Sequence, residues 1–255
     1  MKFAVIVFPG SNCDQDVIHV LRDVMGQEVH EVFHKEMRLP ELTTEDCVVL
    51  PGGFAYGDYL RAGAIARFSP IMSAVVEHAE AGGMVWGICN GFQVLCECGL
   101  LPGALVRNEQ QLFVCRNVFL KPGTFDSPLT RGLKRDEVLK IPIAHAEGRY
   151  YAPPDVIEQL EADNRVMFRY CDAHGNIVPE ANPNGSVNNI AGICNEQHNV
   201  FGLMPHPERA AEEVMGNVDG RRVFDSLLNL HSAPRHAELG LPREDGVSAS
   251  AGQTG

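Results

Sequence analysis

The stretch Gly87-Ile88-Cys89-Asn90-Gly91 reads G-x-C-x-G, with the apolar run Met84-Val85-Trp86 before it and Phe92-Gln93-Val94-Leu95 after it. A strand that turns sharply into a helix lifts one side chain out of the sheet, and the turn is too tight for bulky neighbours on either side of that residue. Cysteine stands here where hydrolases of this pattern carry serine. Its sulfur is expected at a helix N-terminus, where backbone N–H groups and the helix dipole favour negative charge. A buried, inert cysteine is the ordinary alternative in a globular chain, and the flanking glycines argue against it. The N–H of Asn90, just after the nucleophile, is an expected oxyanion donor.

A nucleophilic cysteine needs a base, and the base needs a group to orient it. Downstream, Asn199 to Met204 reads as a strand that runs into Pro205-His206-Pro207-Glu208-Arg209. Pro207 pushes His206 out of the α region, and Glu208 can accept the imidazole N–H, fixing its tautomer. Alone, H-P-E is an ordinary surface turn. Paired with the elbow, it supplies Cys89, His206 and Glu208 as a candidate triad.

Around these motifs strands and helices alternate. Lys2 to Phe8, Val29 to Phe33, Cys47 to Leu50 and Met84 to Ile88 read as strands. Val17, Val20, Leu21 and Val24 fall at helical spacing before Gly26, and a second helix is predicted over Pro70 to Ala81. Such β-α-β units imply a parallel sheet whose site loops gather along one edge. Leu112 to Leu120, Glu137 to Ile143, Arg165 to Asp172, Ile190 to Asn195 and Val200 to Met204 add strands joined by hairpin turns, so this half is expected to be mixed. The 255 residues suit one large α/β domain, able to bury about three quarters of its unfolded surface without staples.

With 33 acidic and 21 basic residues the formal net charge is -12, and no basic stripe offers a nucleic-acid footprint. No signal-peptide pattern and no apolar run of bilayer length is present, so a cytoplasmic protein is expected. The eight cysteines show no C-x-x-C spacing, and His30 with His34 lacks a third ligand, which suits a solvated strand face better than a metal site. Ser11 and Asn12 read as a helix cap. The absence of G-x-x-x-x-G-K-[ST] leaves no recognisable ATP site. Residues 232 to 255 are rich in Gly, Ser, Ala and Pro and are expected to be disordered, leaving one domain over 1 to 231.

Taken together, G-I-C-N-G-F-Q (87 to 93), M-P-H-P-E-R (204 to 209) and L-P-G-G-F (50 to 54) resemble the class I, triad-type glutamine amidotransferases. That resemblance implies a three-layer α/β/α, flavodoxin-like fold with a mostly parallel, mixed central sheet. It also implies a second oxyanion donor, the N–H of Gly53, and a role for Gln93 in holding the α end of glutamine. Within the family, Gly52 to Ala66 and His145 to Tyr150 are similar to the glutaminase subunits that serve purine biosynthesis. These feed ammonia to a separate synthase subunit that converts formylglycinamide ribonucleotide to formylglycinamidine ribonucleotide. ATP and Mg are then expected on that partner, with no cofactor on this chain, and a small bridging third subunit is left open. Tyr56, Asp58, Tyr59 and Arg61 form a candidate docking surface or a simple cap on the sheet edge. No chemical step attaches to His145-Ala146-Glu147-Gly148. Other readings are a glutaminase serving another amidotransferase, an elbow-type cysteine hydrolase, or a binding protein that has lost the chemistry. The intact triad argues against the last, and the order His206 before Glu208 argues against the α/β-hydrolase pattern.

Overall fold

The computed structural model describes residues 1–229; the tail expected over 232–255 lies outside them. The strands are β1 (Lys2–Val7), β2 (Glu28–Phe33), β3 (Cys47–Leu50), β4 (Met84–Ile88), β5 (Ala104–Val106), β6 (Val114–Pro122), β7 (Leu139–His145), β8 (Arg149–Tyr151), β9 (Val166–Cys171), β10 (Ile190–Cys194) and β11 (Val200–Leu203). The α-helices are α1 (Asp14–His19, continued by a wider π turn to Val24), α2 (Ile71–Glu80), α3 (Asn90–Glu97), α4 (Pro154–Ala162) and α5 (Arg221–Leu227).

Nine strands form one sheet in the order β2-β1-β3-β4-β11-β10-β9-β6-β7, and β5 pairs with β8 apart from it. From β2 to β11 neighbours are parallel, and from β11 to β7 they are antiparallel. The expected mixed α/β sheet is therefore present, with its change of direction at β11. All of β3 is buried, as a continuous apolar run demands of a strand covered on both faces. In β2, at the sheet edge, only Val32 is fully buried. Helix α2 turns Ile71, Met72, Val75 and Ala79 inward, so its apolar stripe anchors it.

One pairing brings the distant motifs together. Strands β4 and β11 lie side by side and parallel, with Ile88 opposite Leu203. Their C-terminal ends therefore release Cys89 and His206 at the same edge, although 117 residues separate them in sequence. The Cys89 N–H donates to the Leu203 carbonyl at 2.8 Å, extending the pairing to the nucleophile itself.

Two expectations need correction. Ser11 and Asn12 do not cap α1: the N-cap is Cys13, without a side-chain cap bond. Ser11 Oγ instead accepts the Phe8 N–H and donates to the Phe8 carbonyl, closing its own turn. His34 does not lie on a solvated face. It is buried beyond the end of β2 and bonds through Nδ1 to the Tyr56 hydroxyl at 2.6 Å, while His30 stays at the surface beside Glu28.

Candidate active site

Cys89 stands between β4 and α3 with φ 49° and ψ −104°, a backbone conformation that non-glycine residues rarely adopt. The neighbouring glycines explain how the fold holds it. A Cβ at Gly91 would sit 1.9 Å from the Leu50 carbonyl oxygen, and one at Gly87 would strike Gly91 at 2.6 Å. Any side chain at either position would drive α3 away from β3 and β4, and the strained turn would relax.

His206 follows β11 with φ −104° and ψ 87°, outside the α region as Pro207 requires. Its own N–H donates to the Pro142 carbonyl at 2.8 Å, tying the turn to β7. Glu208 lies in a short 3-10 turn, Pro207–Ala210, rather than in extended chain. Its Oε1 is 2.6 Å from His206 Nδ1. A carboxylate only accepts, so the proton of that bond resides on Nδ1. His206 Nε2 is left buried without a hydrogen-bond partner among the described residues. Burial by itself would lower the His206 pKa, but the Glu208 charge, the adjacent Cys89 sulfur and the nearby Cys13 sulfur together hold it well above the ordinary histidine range. The imidazolium form is thus favoured beside the nucleophile.

Gly52 and Gly53 follow β3 and complete this edge. A Cβ on Gly52 would lie 2.7 Å from His206 Cε1 and 3.3 Å from both Cys89 Cβ and Cys13 Sγ, which places Gly52 against all three. Gly53 has φ +122° and abuts Asn12, whose backbone nitrogen would be 2.6 Å from an added Cβ. Asn90 opens α3. Its side chain is fully committed: Oδ1 accepts from the Ala55 N–H at 3.1 Å, and Nδ2 donates to Asp58 at 3.1 Å and to Gln93 Oε1 at 2.8 Å. Gln93 in turn donates through Nε2 to the Glu147 carbonyl at 2.5 Å. Both ends of the Gln93 amide are engaged inside the protein, joining the Asn90 side chain to the Glu147 backbone.

The loop from Gly52 to Ala66 is pinned at several points. Tyr56 reaches both His34 and Ser69. Arg61 forks onto Glu97 through Nε at 2.5 Å and Nη2 at 2.6 Å, and the Ala62 N–H donates to Glu147 Oε2 at 3.2 Å. Tyr59 and Leu60 point outward, Leu60 being 93% exposed. Of the four polar residues read as a docking surface or a cap, Tyr56, Asp58 and Arg61 make hydrogen bonds within the protein, while Tyr59 is exposed. His145 is buried, donates through Nδ1 to Asn108 Oδ1 at 3.2 Å, and is pushed down to about 4 by burial and by the charge of His206. It stands neutral beside the imidazolium.

Cys13 and Arg209 join the site without having been singled out from the sequence. Arg209 bonds Asp16 through Nε and Cys13 Sγ through Nη2, each at 3.0 Å. The signal for Cys13 was its place after β1, since loops that follow neighbouring parallel strands converge at one edge. That rule applies to Pro9 to Cys13 as much as to the elbow. A Cys13, His206 and Glu208 group has ligand atoms within 4.8 Å of one another, but the guanidinium on the sulfur opposes a cation there.

An elbow cysteine, a carboxylate-held histidine and a glycine turn after the adjacent strand define a triad-type amidotransferase site. Comparison with known proteins agrees. Residues 1–227 match the CobB/CobQ-like glutamine amidotransferase domain family. The phosphoribosylformylglycinamidine synthase subunit PurQ of Salinibacter ruber is 55% identical over 228 residues, spanning 89% of this chain and 96% of that protein. The same subunit of Gloeobacter violaceus is 57% identical over 228 residues, spanning 89% and 97%. A chain in the structure of PurLQS from Thermotoga maritima superposes with a TM-score of 0.78 at 43% identity, covering 89% of this chain and 97% of that one. The chain belongs to this glutamine amidotransferase family and, within it, to the PurQ subunits of phosphoribosylformylglycinamidine synthase.

Proposed function

We propose that this chain hydrolyses glutamine through a Cys89 thioester and delivers the ammonia to a synthase subunit, which makes formylglycinamidine ribonucleotide from formylglycinamide ribonucleotide. The observation that carries this reading is the state of His206: one nitrogen held by Glu208, the other buried, unpartnered and beside Cys89.

The Cys89 thiolate attacks the side-chain amide carbon of glutamine. The N–H groups of Gly53 and Asn90 receive the oxyanion that forms, at a turn where glycine lets the backbone approach closely. His206 gives the proton on Nε2 to the departing nitrogen as the C–N bond breaks, leaving ammonia and the thioester. It then takes a proton from water, whose oxygen attacks the thioester, and glutamate leaves as the sulfur is released. Glu208 stabilises the imidazolium at each stage.

ATP and Mg belong to the synthase subunit in this scheme, and a small third subunit would complete an assembly like that of the Thermotoga relative. Phe54, Tyr59, Leu60, Leu112 and Phe113 are exposed beside the site, with the Phe54 and Phe113 rings stacked 6.5 Å apart. This apolar rim is the docking face for the synthase. In the assembled complex, Cys89→Ala is expected to abolish glutamine-dependent synthesis and to spare synthesis from ammonium salts. Loss of both activities would overturn the assignment.

A further inference from the structure

The site holds a second sulfur that the proposed reaction does not spend. Strand β3 lies between β1 and β4, so the turn after β3 separates the loop that carries Cys13 from the elbow that carries Cys89. That turn has glycine at position 52. The point its Cβ would occupy is 3.3 Å from Cys13 Sγ and equally 3.3 Å from Cys89 Cβ. The Cys13 sulfur is therefore no farther from Cys89 Cβ than twice that length, and residue 52 puts no side chain between them. Gly52 does not have a positive φ, so its backbone conformation does not call for glycine; the gap between the two cysteines does.

The surroundings suit sulfur exchange. Cys13 Sγ accepts from Arg209 Nη2 at 3.0 Å, and its lone pairs are the part of a sulfur that attacks. The imidazole of His206 borders the gap, with Cε1 2.7 Å from the same point, and its Nε2 is buried without a partner among the described residues. Joining two cysteines needs their Cβ atoms about 3.5 to 4.5 Å apart. Cys13 is the N-cap of α1 and has no side-chain cap bond to hold it back from such an approach. All eight cysteines are free thiols in this structure. The edge that must admit glutamine to Cys89 also admits a smaller molecule such as a peroxide.

We propose that Cys13 is the resolving thiol for Cys89, capturing the nucleophile as a Cys13–Cys89 disulfide when a small hydroperoxide oxidises it. The Cys89 thiolate attacks one peroxide oxygen; the S–O bond forms as the O–O bond breaks. The sulfur is oxidised to the sulfenic acid, the peroxide is reduced, and the departing oxygen leaves as water with a proton from His206. The Cys13 sulfur then attacks the Cys89 sulfur. The S–S bond forms as the S–O bond breaks, and the hydroxide leaves as a second water with the Cys13 proton. Two thiols and one hydrogen peroxide thus give one disulfide and two waters. The disulfide stops glutamine hydrolysis reversibly and keeps Cys89 from the sulfinic and sulfonic acids, from which thiols do not recover it. The proposal rests on the reading of Cys89 as a nucleophile.

The test exposes the full chain, in the assembled complex, to hydrogen peroxide, blocks the remaining thiols with iodoacetamide in denaturant and maps the peptides by mass. The expected product is a peptide pair joining Cys13 to Cys89 that dithiothreitol separates, with most of the glutaminase activity returning on reduction. In Cys13→Ser the pair cannot form, and Cys89 is expected as the sulfinic and sulfonic acids. The share of that variant's own untreated rate that dithiothreitol restores should be about 10-fold smaller than in the unaltered chain. Cys89 paired with a different cysteine, Cys89 over-oxidised in the unaltered chain while Cys13 stays a thiol, or equal recovery with and without Cys13 would overturn the proposal. The peptide map of the unaltered chain decides the matter by itself if Cys13→Ser does not fold. Failure of the glutaminase reading shows separately, in untreated complex that makes no product from glutamine, and leaves the mass readout unaffected.

Discussion

Arg209 donates through Nη2 to Cys13 Sγ at 3.0 Å, which ties the second sulfur of the site to a cation while the first stands beside an imidazolium. The Cys13 sulfur packs with His206 against Gly52 and is one of the influences that raise the His206 pKa. Cys13→Ala is therefore expected to lower the His206 pKa and to move the alkaline limb of the kcat/KM profile to lower pH, because attack needs the imidazolium. Cys13→Ser should move it less. A pH series of glutaminase rates checks this, and a uniform fall at every pH would show that Cys13 only fills space.

Glu208 can be tested through its charge alone. Glu208→Gln keeps the size of the side chain but removes the anion that stabilises the imidazolium, and kcat is expected to fall by at least about 10²-fold, as for other triads robbed of their acid. KM for glutamine should change little. Steady-state rates in the complex decide the matter.

Gly53→Ala puts a Cβ against the Asn12 nitrogen at a φ of +122°, where side chains are strained. The turn must shift, and its N–H with it. A fall in turnover of about 10²-fold or more is expected, the usual effect of losing one oxyanion donor. Tm should drop as well, since the collision is with backbone. Turnover unchanged in a folded variant would remove Gly53 from the oxyanion site.

Asp58 links the site to stability. Its carboxyl is raised from an ordinary 3.8 to about 6 by burial and by Glu147, so the folded protein holds this proton longer than the unfolded chain does. Stability from this group is fully present below about pH 4 and is lost as pH rises through 6. Asp58→Asn removes the loss and is expected to stabilise the protein by about 1 kcal/mol above pH 6.5, after allowance for the partial exposure of the group. The difference should vanish near pH 4. Denaturant titrations across this range measure it.

Much of this molecule is readable from its sequence because burial on both faces writes itself as unbroken apolar runs. Cys47–Leu50 and Met84–Ile88 are found as strands to the residue, and Pro70 to Ala81 overstates α2 by one residue at each end. The triad residues stand out because a tight turn and a proline-locked turn restrict what can flank them. Other features leave weaker traces. Helix α4 buries only Ile157 and Leu160, too thin a stripe to show a period, and β5 and β8 are three residues each. His34 looked solvated because strand alternation says nothing of a residue just past the strand end, where Tyr56 covers it. Asp58 and Glu147 each fall in a stretch that stands out in the sequence, but their approach to one another across 89 positions of chain leaves no local trace.

Of the described strands β11 is the last to be made, yet it lies between β4 and β10 in the middle of the sheet. A nascent chain that has emerged only as far as β10 presents two open strand edges with nothing between them, the arrangement most prone to wrong pairing. Insertion of Val200 to Leu203 closes both edges and, in the same event, carries His206 to Cys89. A truncated or half-synthesised copy therefore holds the thiol without its base. Completion of the sheet and arming of the nucleophile are thus one step.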